Sequence, residues 1–400
     1  MQDTLTPTLS RVREREQTPS PNRSIVIVGS GLAGYTLLKE FRKRDAETPV
    51  TLVTADDGAF YSKPSLSNAF ATNRTATALA SASAEKMAAD QKATVLTHTR
   101  VTAIDTAGRR LRTETGELEY GKLVLALGAD PFAHGLAGDA ATEVLMVNDL
   151  ADYAVFRDAV AGKKRVAVLG GGLIGCEFAN DLAHAGFQVD VVHLGDWPLE
   201  RLLPAEAGRR LADALAALGV AWHFGRIGKQ VDRNGNGYSV TLDNGDAVEA
   251  DVVLSAIGLK PRTLLAQSAG IQTGRGIQTN ALLETGAPDV YAMGDCAEVE
   301  GQNLPYVQPL MLQARALAAT LTGTPTPVAY PPMPVMVKTP AHPVAVLPPR
   351  IGAAGSWKVD CFEGGVCALF LGEAGQLQGF ALTGSETARR NALAKDVAAT

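Results

Sequence analysis

Ser24-Ile-Val-Ile-Val28, Gly29-Ser-Gly-Leu-Ala-Gly34, a helical stretch to about Arg44, then Val50-Thr-Leu-Val53: this run decides the fold, because the chain contains it twice. The second copy is Arg165-Val-Ala-Val-Leu169, Gly170-Gly-Gly-Leu-Ile-Gly175, a helical stretch to about Ala185, and Val189-Asp-Val-Val192. Each copy reads strand, glycine turn, helix, strand. Uninterrupted apolar strands joined by a helix predict a parallel sheet buried on both faces, with a right-handed crossover. The fold class is α/β, with two Rossmann-like domains.

A lone G-x-G-x-x-G is a weak signal, but here each copy follows an apolar strand and opens a helix, the context the motif needs. Gly29 and Gly170 permit the tight turn, Gly31 and Gly172 let a pyrophosphate approach the backbone, and Gly34 and Gly175 let helix and strand touch. The phosphates then sit on a helix N-terminus, whose free N–H groups favour anions. Tight strand–helix packing alone could explain one such loop; two of them predict two dinucleotides. The acid that usually grips the ribose 2′-OH at the end of the second strand is missing. The first copy has Thr54 there with Asp56 and Asp57 just beyond, and the second has His193 with Asp196 beyond. Asp56 is the candidate in the first copy, and the ribose contact stays open in the second. The second copy has no cluster of arginines to hold a 2′-phosphate, Arg201 being the nearest, which favours NADH over NADPH.

The bulk properties exclude several classes. At 400 residues the chain needs more than one core. A net charge of −5, with no Lys/Arg stripe, leaves no nucleic-acid footprint. No apolar run reaches the ~20 residues of a membrane helix. The segment 1–23 is polar, lacks the apolar stretch of a signal peptide, and reads as a flexible tail. Four cysteines without a disulfide framework point to a reducing, cytoplasmic setting. The six histidines show no metal-ligand spacing, so no metal site is expected.

Leu123-Val-Leu-Ala-Leu-Gly128 and Val252-Val-Leu-Ser-Ala-Ile-Gly258 are buried strands stopped by Gly and then by Pro131 and Pro261. They mark crossings between domains. Residues 97–105 with 117–125, and 239–243 with 247–255, read as small antiparallel additions to the two units, with Asp243-Asn-Gly-Asp246 as a hairpin turn. From about Tyr330 prolines punctuate the chain, and short strands at 357–362, 367–371 and 377–382 precede a helix from about Glu386. The expected plan is one discontinuous domain of residues 24–130 and 259–329, a second of 131–258, and a small C-terminal α+β domain of 330–400.

With these segments in place the chain resembles flavoproteins of the pyridine nucleotide–disulfide (glutathione) reductase fold that lack the redox disulfide, the ferredoxin/rubredoxin reductase type. The likeness runs from about Ile25 to the C-terminus. It rests on Gly29–Tyr35, Thr54-Ala-Asp-Asp-Gly58, Tyr61-Ser-Lys-Pro64, Leu173-Ile-Gly-Cys-Glu-Phe-Ala-Asn-Asp181, Asp289-Val-Tyr-Ala-Met-Gly-Asp295, Gly294-Asp-Cys-Ala-Glu-Val299 and Val337-Lys-Thr-Pro340. The resemblance implies FAD in the first domain and NADH in the second. Ser30, Leu32 and Ala33, with Gly29, Gly31 and Gly34, would wrap the FAD pyrophosphate. Val101 would hold the adenine end, and Val307 would lie near the flavin's pyrimidine edge. Asp295 would bond the ribityl chain, although it could also cap the helix beginning near Leu310. Lys63, Glu177 and Lys338 would border the flavin ring, with Lys63 and Glu177 as an ion pair in the catalytic role. Two solvated loop lysines and a helix-stabilising glutamate are the plainer account of these three.

The same resemblance implies hydride transfer from NADH to the flavin, then single electrons to a small iron protein, with rubredoxin the expected acceptor. The helix after the first glycine loop has no Cys-x-x-x-x-Cys pair, and His342 is followed by Pro343 where disulfide reductases carry His-Glu. Reduction of glutathione-like disulfides is therefore not expected. The rivals are a ferredoxin reductase, an NADH oxidase or peroxidase with Cys176 as its only candidate thiol, and a non-enzymatic flavin protein that NADH switches.

Overall fold

The computed structural model describes residues 24–397; the expected tail, 1–23, lies outside them. The first glycine run forms part of a five-stranded parallel sheet in the order Val290–Ala292, Lys122–Leu125, Ile25–Val28, Val50–Val53, Thr94–Leu96. All its pairings are parallel, with Val28 opposite both Val53 and Leu125. The four residues of Ile25–Val28 are all buried, as a strand covered on both faces must be. The first glycine helix, Leu32–Arg42, packs on the later helix Val307–Leu321. Strand Val290–Ala292 returns from far downstream to close the sheet, as the Gly294-Asp295 ending predicts.

The second run builds a four-stranded parallel sheet in the order Val220–Phe224, Gln188–His193, Arg165–Leu169, Val252–Ser255, with the second glycine helix at Leu173–His184. In each sheet the strand preceding the glycine loop is central, and the chain leaves it to opposite sides. That makes the loop a topological switch point, where crevices for ligands open at the carboxyl ends of strands.

The antiparallel additions differ from expectation in two respects: each longer run contains two elements, and Arg110–Thr113 lies between the two runs expected to pair in the first unit. Val101–Asp105, Arg110–Thr113 and Glu117–Glu119 form a three-stranded ribbon, while Lys122–Leu125 joins the parallel sheet. Likewise Ala247–Ala250 pairs in a ribbon with Gly237–Leu242, and Val252–Ser255 goes to the second sheet. The second break falls at Asp251, whose carboxylate accepts from the Lys164 and Arg165 N–H groups at 3.0 and 2.9 Å and pins the turn. The Asp243–Asp246 hairpin is present, with Gly245 at φ +88°. Where the chain crosses between units, Ala129–Pro131 pairs antiparallel with Leu259–Pro261.

The C-terminal module is a five-stranded antiparallel sheet in the order Val335–Val337, Val344–Leu347, Leu377–Thr383, Gly365–Gly372, Gly355–Phe362. The first two strands hide in the proline-rich stretch, because Pro334, Pro343 and Pro348 flank them without interrupting their ladders. The closing helix is Arg390–Asp396, after a 3-10 turn from Gly384 to Arg389. Leu66, Phe70 and Leu79, grouped by sequence with the first unit, pack instead into the core of the second, where Val337, Val344 and Val346 of the module also lie. Phe70 meets Tyr153 and Phe156 edge-on at ring separations of 5.4 Å. This shared core anchors the loop that carries Lys63.

Candidate active site

Both glycine loops open onto one cleft of about 2670 Å3, which also takes in the 301–310 segment and the inner side of the C-terminal module. Pockets for a single small ligand run to ~1,000 Å3, so this cleft has room for more than one. The loops form for the reason the motif implies. Gly29 and Gly170 take φ values of +117° and +111°, with a backbone carbonyl where a side chain would start. A β-carbon on Gly34 or Gly175 would fall 1.9 or 1.8 Å from the carbonyl oxygen of Gly29 or Gly170. At Gly31 and Gly172, by contrast, a β-carbon would meet nothing within 4 Å. The space above the middle glycines is open, beside a helix N-terminus with no side-chain cap and no acid in its first turn. An anionic pyrophosphate fits both cradles.

At the first loop, Asp56 Oδ1 accepts from Ser30 Oγ at 2.9 Å, Thr54 Oγ1 at 2.6 Å and the Gly58 N–H at 2.9 Å. The carboxylate is thereby fixed on the cleft wall with its second oxygen left for a ligand. At the second loop, His193 Nδ1 accepts from the Gly171 N–H at 3.1 Å, and burial holds the imidazole below its ordinary pKa. The end of each second strand thus ties down its own glycine loop.

Between the loops stand the charged groups. Lys63 Nζ donates to Asn148 Oδ1 at 2.6 Å, and Asn148 Nδ2 to the Ala129 carbonyl at 3.0 Å. Burial pushes the Lys63 pKa down and the Asp295 carboxyl up, while the charge of each opposes the other's shift. Asp295 sits in the short turn Gly294–Cys296, and its carboxylate has no hydrogen bond among the described residues. The helix Val307–Leu321 is preceded instead by Tyr306, so the capping role for Asp295 falls away. A half-buried carboxylate without a donor suits a ligand that brings hydroxyl groups.

The expected Lys63–Glu177 ion pair is not formed. Glu177 is 2% exposed and pairs with Lys338, whose Nζ lies 2.6 Å from Oε2 and whose backbone N–H donates to Oε1 at 2.9 Å. Ser67 Oγ donates to Oε2 at 2.6 Å, and Lys338 Nζ also donates to the Pro64 carbonyl. The Val337-Lys-Thr-Pro340 turn brings the Lys338 N–H and ammonium onto Glu177, and Asn148 claims the Lys63 ammonium. One helical turn on, Asp181 accepts from the Phe70 and Ala71 N–H groups at 2.7 and 3.2 Å, and Asn180 Oδ1 from the Ala341 N–H at 3.2 Å. Residues 177, 180 and 181 share one helix face. That face stitches the 63–71 segment and the C-terminal module to the second unit.

Gly29, Ser30, Gly31, Leu32, Ala33, Asp56, Lys63, Gly170, Gly172, Glu177, Asp295, Val307 and Lys338 all line the cleft. Gly34 and Gly175 lie beneath the loops, and Val101, at the start of its ribbon strand, does not line the cleft. Ser67, Asn148 and the Pro64 carbonyl carry no motif of their own in the sequence, although Pro64 closes the Tyr61-Ser-Lys-Pro64 segment. Cys176 is fully buried, donates to the Gly171 carbonyl at 3.3 Å, and is pushed well above the ordinary thiol pKa by burial. It cannot supply the thiolate of a thiol peroxidase.

The family model described as pyridine nucleotide-disulphide oxidoreductase matches residues 23–317, the stretch that builds both glycine loops. The chain belongs to that family. Past this family region, residues 327–397 match the rubredoxin binding C-terminal domain. The rubredoxin-NAD(+) reductase of Alcanivorax borkumensis is 51% identical over 94% of this chain and 98% of its own. That of Acinetobacter baylyi is 46% identical over 92% and 95%. Among solved structures, the ferredoxin reductase for the CYP199A2 system from Rhodopseudomonas palustris matches with a TM-score of 0.85 at 27% identity, covering 94% of this chain and 96% of that one.

Proposed function

We propose that this protein is an FAD-dependent oxidoreductase that takes electrons from NADH and delivers them to rubredoxin. The observation that carries the reading is the single cleft: it joins both dinucleotide cradles to the module that matches the rubredoxin-binding model. A bound flavin accepts a hydride and can release electrons one at a time, chemistry that belongs to the cofactor. The protein's part is placement and charge.

In this reading residues 24–130 and 259–329 hold FAD, residues 131–258 hold NADH, and residues 330–397 face the acceptor. The Gly31 loop and its helix N-terminus hold the FAD pyrophosphate, Asp56 the adenosine ribose and Asp295 the ribityl hydroxyls. Lys63 places a half-buried cation at the flavin, countered by Asp295. Glu177 carries its charge neutralised by Lys338, so its part is to position the loop bearing Lys63. The Gly172 cradle holds the nicotinamide dinucleotide against the other side of the cleft. Catalysis is then mostly the orientation of two rings.

Among the described residues no helix is long and apolar enough to cross a membrane. The four cysteines are free, in keeping with work in the cytoplasm. The test is steady-state NADH oxidation with purified rubredoxin beside a ferredoxin. Rubredoxin should be the better acceptor by kcat/KM. A preference for ferredoxin would move the assignment to that branch, and no turnover with either would leave a flavin-binding switch protein.

A further inference from the structure

The two glycine units can be aligned residue by residue through one hydrogen bond. The Gly29 N–H donates to the Val53 carbonyl at 2.8 Å, and the Gly170 N–H to the Val192 carbonyl at 2.8 Å. Val53 therefore corresponds to Val192, Thr54 to His193, and Asp56 to Gly195. In the first unit that third position supplies the carboxylate on the cleft wall. In the second it has no side chain at all.

The space is filled from elsewhere. A β-carbon built on Gly195 would fall 2.0 Å from Glu200 Oε2 and 2.1 Å from its carboxyl carbon. The Glu200 carboxylate stands where the side chain of residue 195 would begin. It lines the cleft and has no hydrogen bond or ion pair among the described residues. The loop is folded back to put it there: the Leu199 N–H donates to the Gly171 carbonyl at 2.9 Å, and Leu199 is buried at φ +58°. Such a conformation is rare for a residue with a bulky side chain and persists only where the surroundings impose it.

We propose that Glu200 is the carboxylate that grips the adenosine ribose of the nicotinamide dinucleotide and rejects a 2′-phosphate. The inference rests on the reading of the second glycine loop as the NADH site. A carboxylate accepts from ribose hydroxyls by charge-assisted hydrogen bonds and repels an added phosphate dianion. Arg201 and Arg226 also line this part of the cleft, so the selection depends on Glu200 outweighing them.

The test titrates the oxidised, FAD-loaded enzyme with ADP-ribose and with its 2′-phosphate, two ligands that cannot reduce the flavin, by calorimetry. Wild type should bind ADP-ribose and prefer it; failure to bind it at all overturns the NADH-site reading and this proposal together. Glu200→Gln should weaken ADP-ribose about tenfold while leaving the 2′-phosphate unchanged or tighter, with flavin content and melting temperature unaltered. Gly195→Ala should reproduce that signature, because its methyl displaces only the flexible end of Glu200, and the double variant should add nothing further. If Glu200→Gln changes both ligands by the same factor, or neither, while ADP-ribose still binds, Glu200 is not the reader and the loop assignment survives without it.

Discussion

Replacing Lys338 by Met removes one ammonium group and keeps most of the side chain's apolar stem, which isolates the buried ion pair that joins the C-terminal module to the second unit. Breaking a buried pair costs about 3–5 kcal/mol, because the partner charge is left uncompensated. Glu177 would keep two donors, Ser67 Oγ at 2.6 Å and its neighbour's backbone N–H at 2.9 Å. The Lys338 side chain is 32% exposed, so water reaches its end. Both facts place the loss at the low end, about 3 kcal/mol. With a denaturant slope of about 3 kcal/mol/M, the urea midpoint should fall on the order of 1 M. The three tryptophans, Trp197, Trp222 and Trp357, all lie in the second unit and the module, so their fluorescence reports the affected core. Glu177→Gln/Lys338→Met should be more stable than Lys338→Met alone, since the stranded charge is gone. A wild-type midpoint for Lys338→Met, or strictly additive losses in the four-variant cycle, would refute the pairing as drawn.

Gly31→Val should fold but fail to retain FAD, because its side chain would enter the open cradle rather than the core; stoichiometric flavin absorbance in the purified variant would contradict this. Burial holds Lys63 below the ordinary lysine pKa of 10.5, so its cation is lost as pH rises before a solvent lysine would deprotonate. Flavin reduction by NADH should therefore slow on the alkaline side ahead of that range, and Lys63→Arg should push the fall to higher pH; a profile identical in both would remove the role. Cys176→Ala should leave turnover with rubredoxin within about twofold, since the buried thiol faces the Gly171 carbonyl and not the cleft. Loss of turnover beyond its loss of flavin would reopen the peroxidase reading.

The doubled βαβ pattern was legible because its evidence is local: apolar strands, glycines at fixed spacing, a helix behind them. The returning strand at Val290–Ala292 was legible for the same reason, from its Gly-Asp ending. The partner of Glu177 was not, because Lys63 and Lys338 are both proline-pinned lysines and only the three-dimensional docking of the module chooses between them. Strands Val335–Val337 and Val344–Leu347 were missed since prolines that read as breaks sit just outside the paired residues. The second ribose contact stayed open for a related reason. Position 195 is glycine, and the nearest carboxylate arrives by a loop that doubles back through Leu199, a path no spacing rule encodes.

Outward electron transfer to rubredoxin is read from stopped-flow reoxidation of the NADH-reduced enzyme. Rubredoxin and dissolved oxygen are compared as oxidants across a salt series. Small redox encounters are weak, polar and steered by charge. Rubredoxin should reoxidise the enzyme much faster than oxygen does, at a rate that falls as salt rises, while reduction by NADH barely changes. Reoxidation by rubredoxin no faster than by oxygen would contradict it.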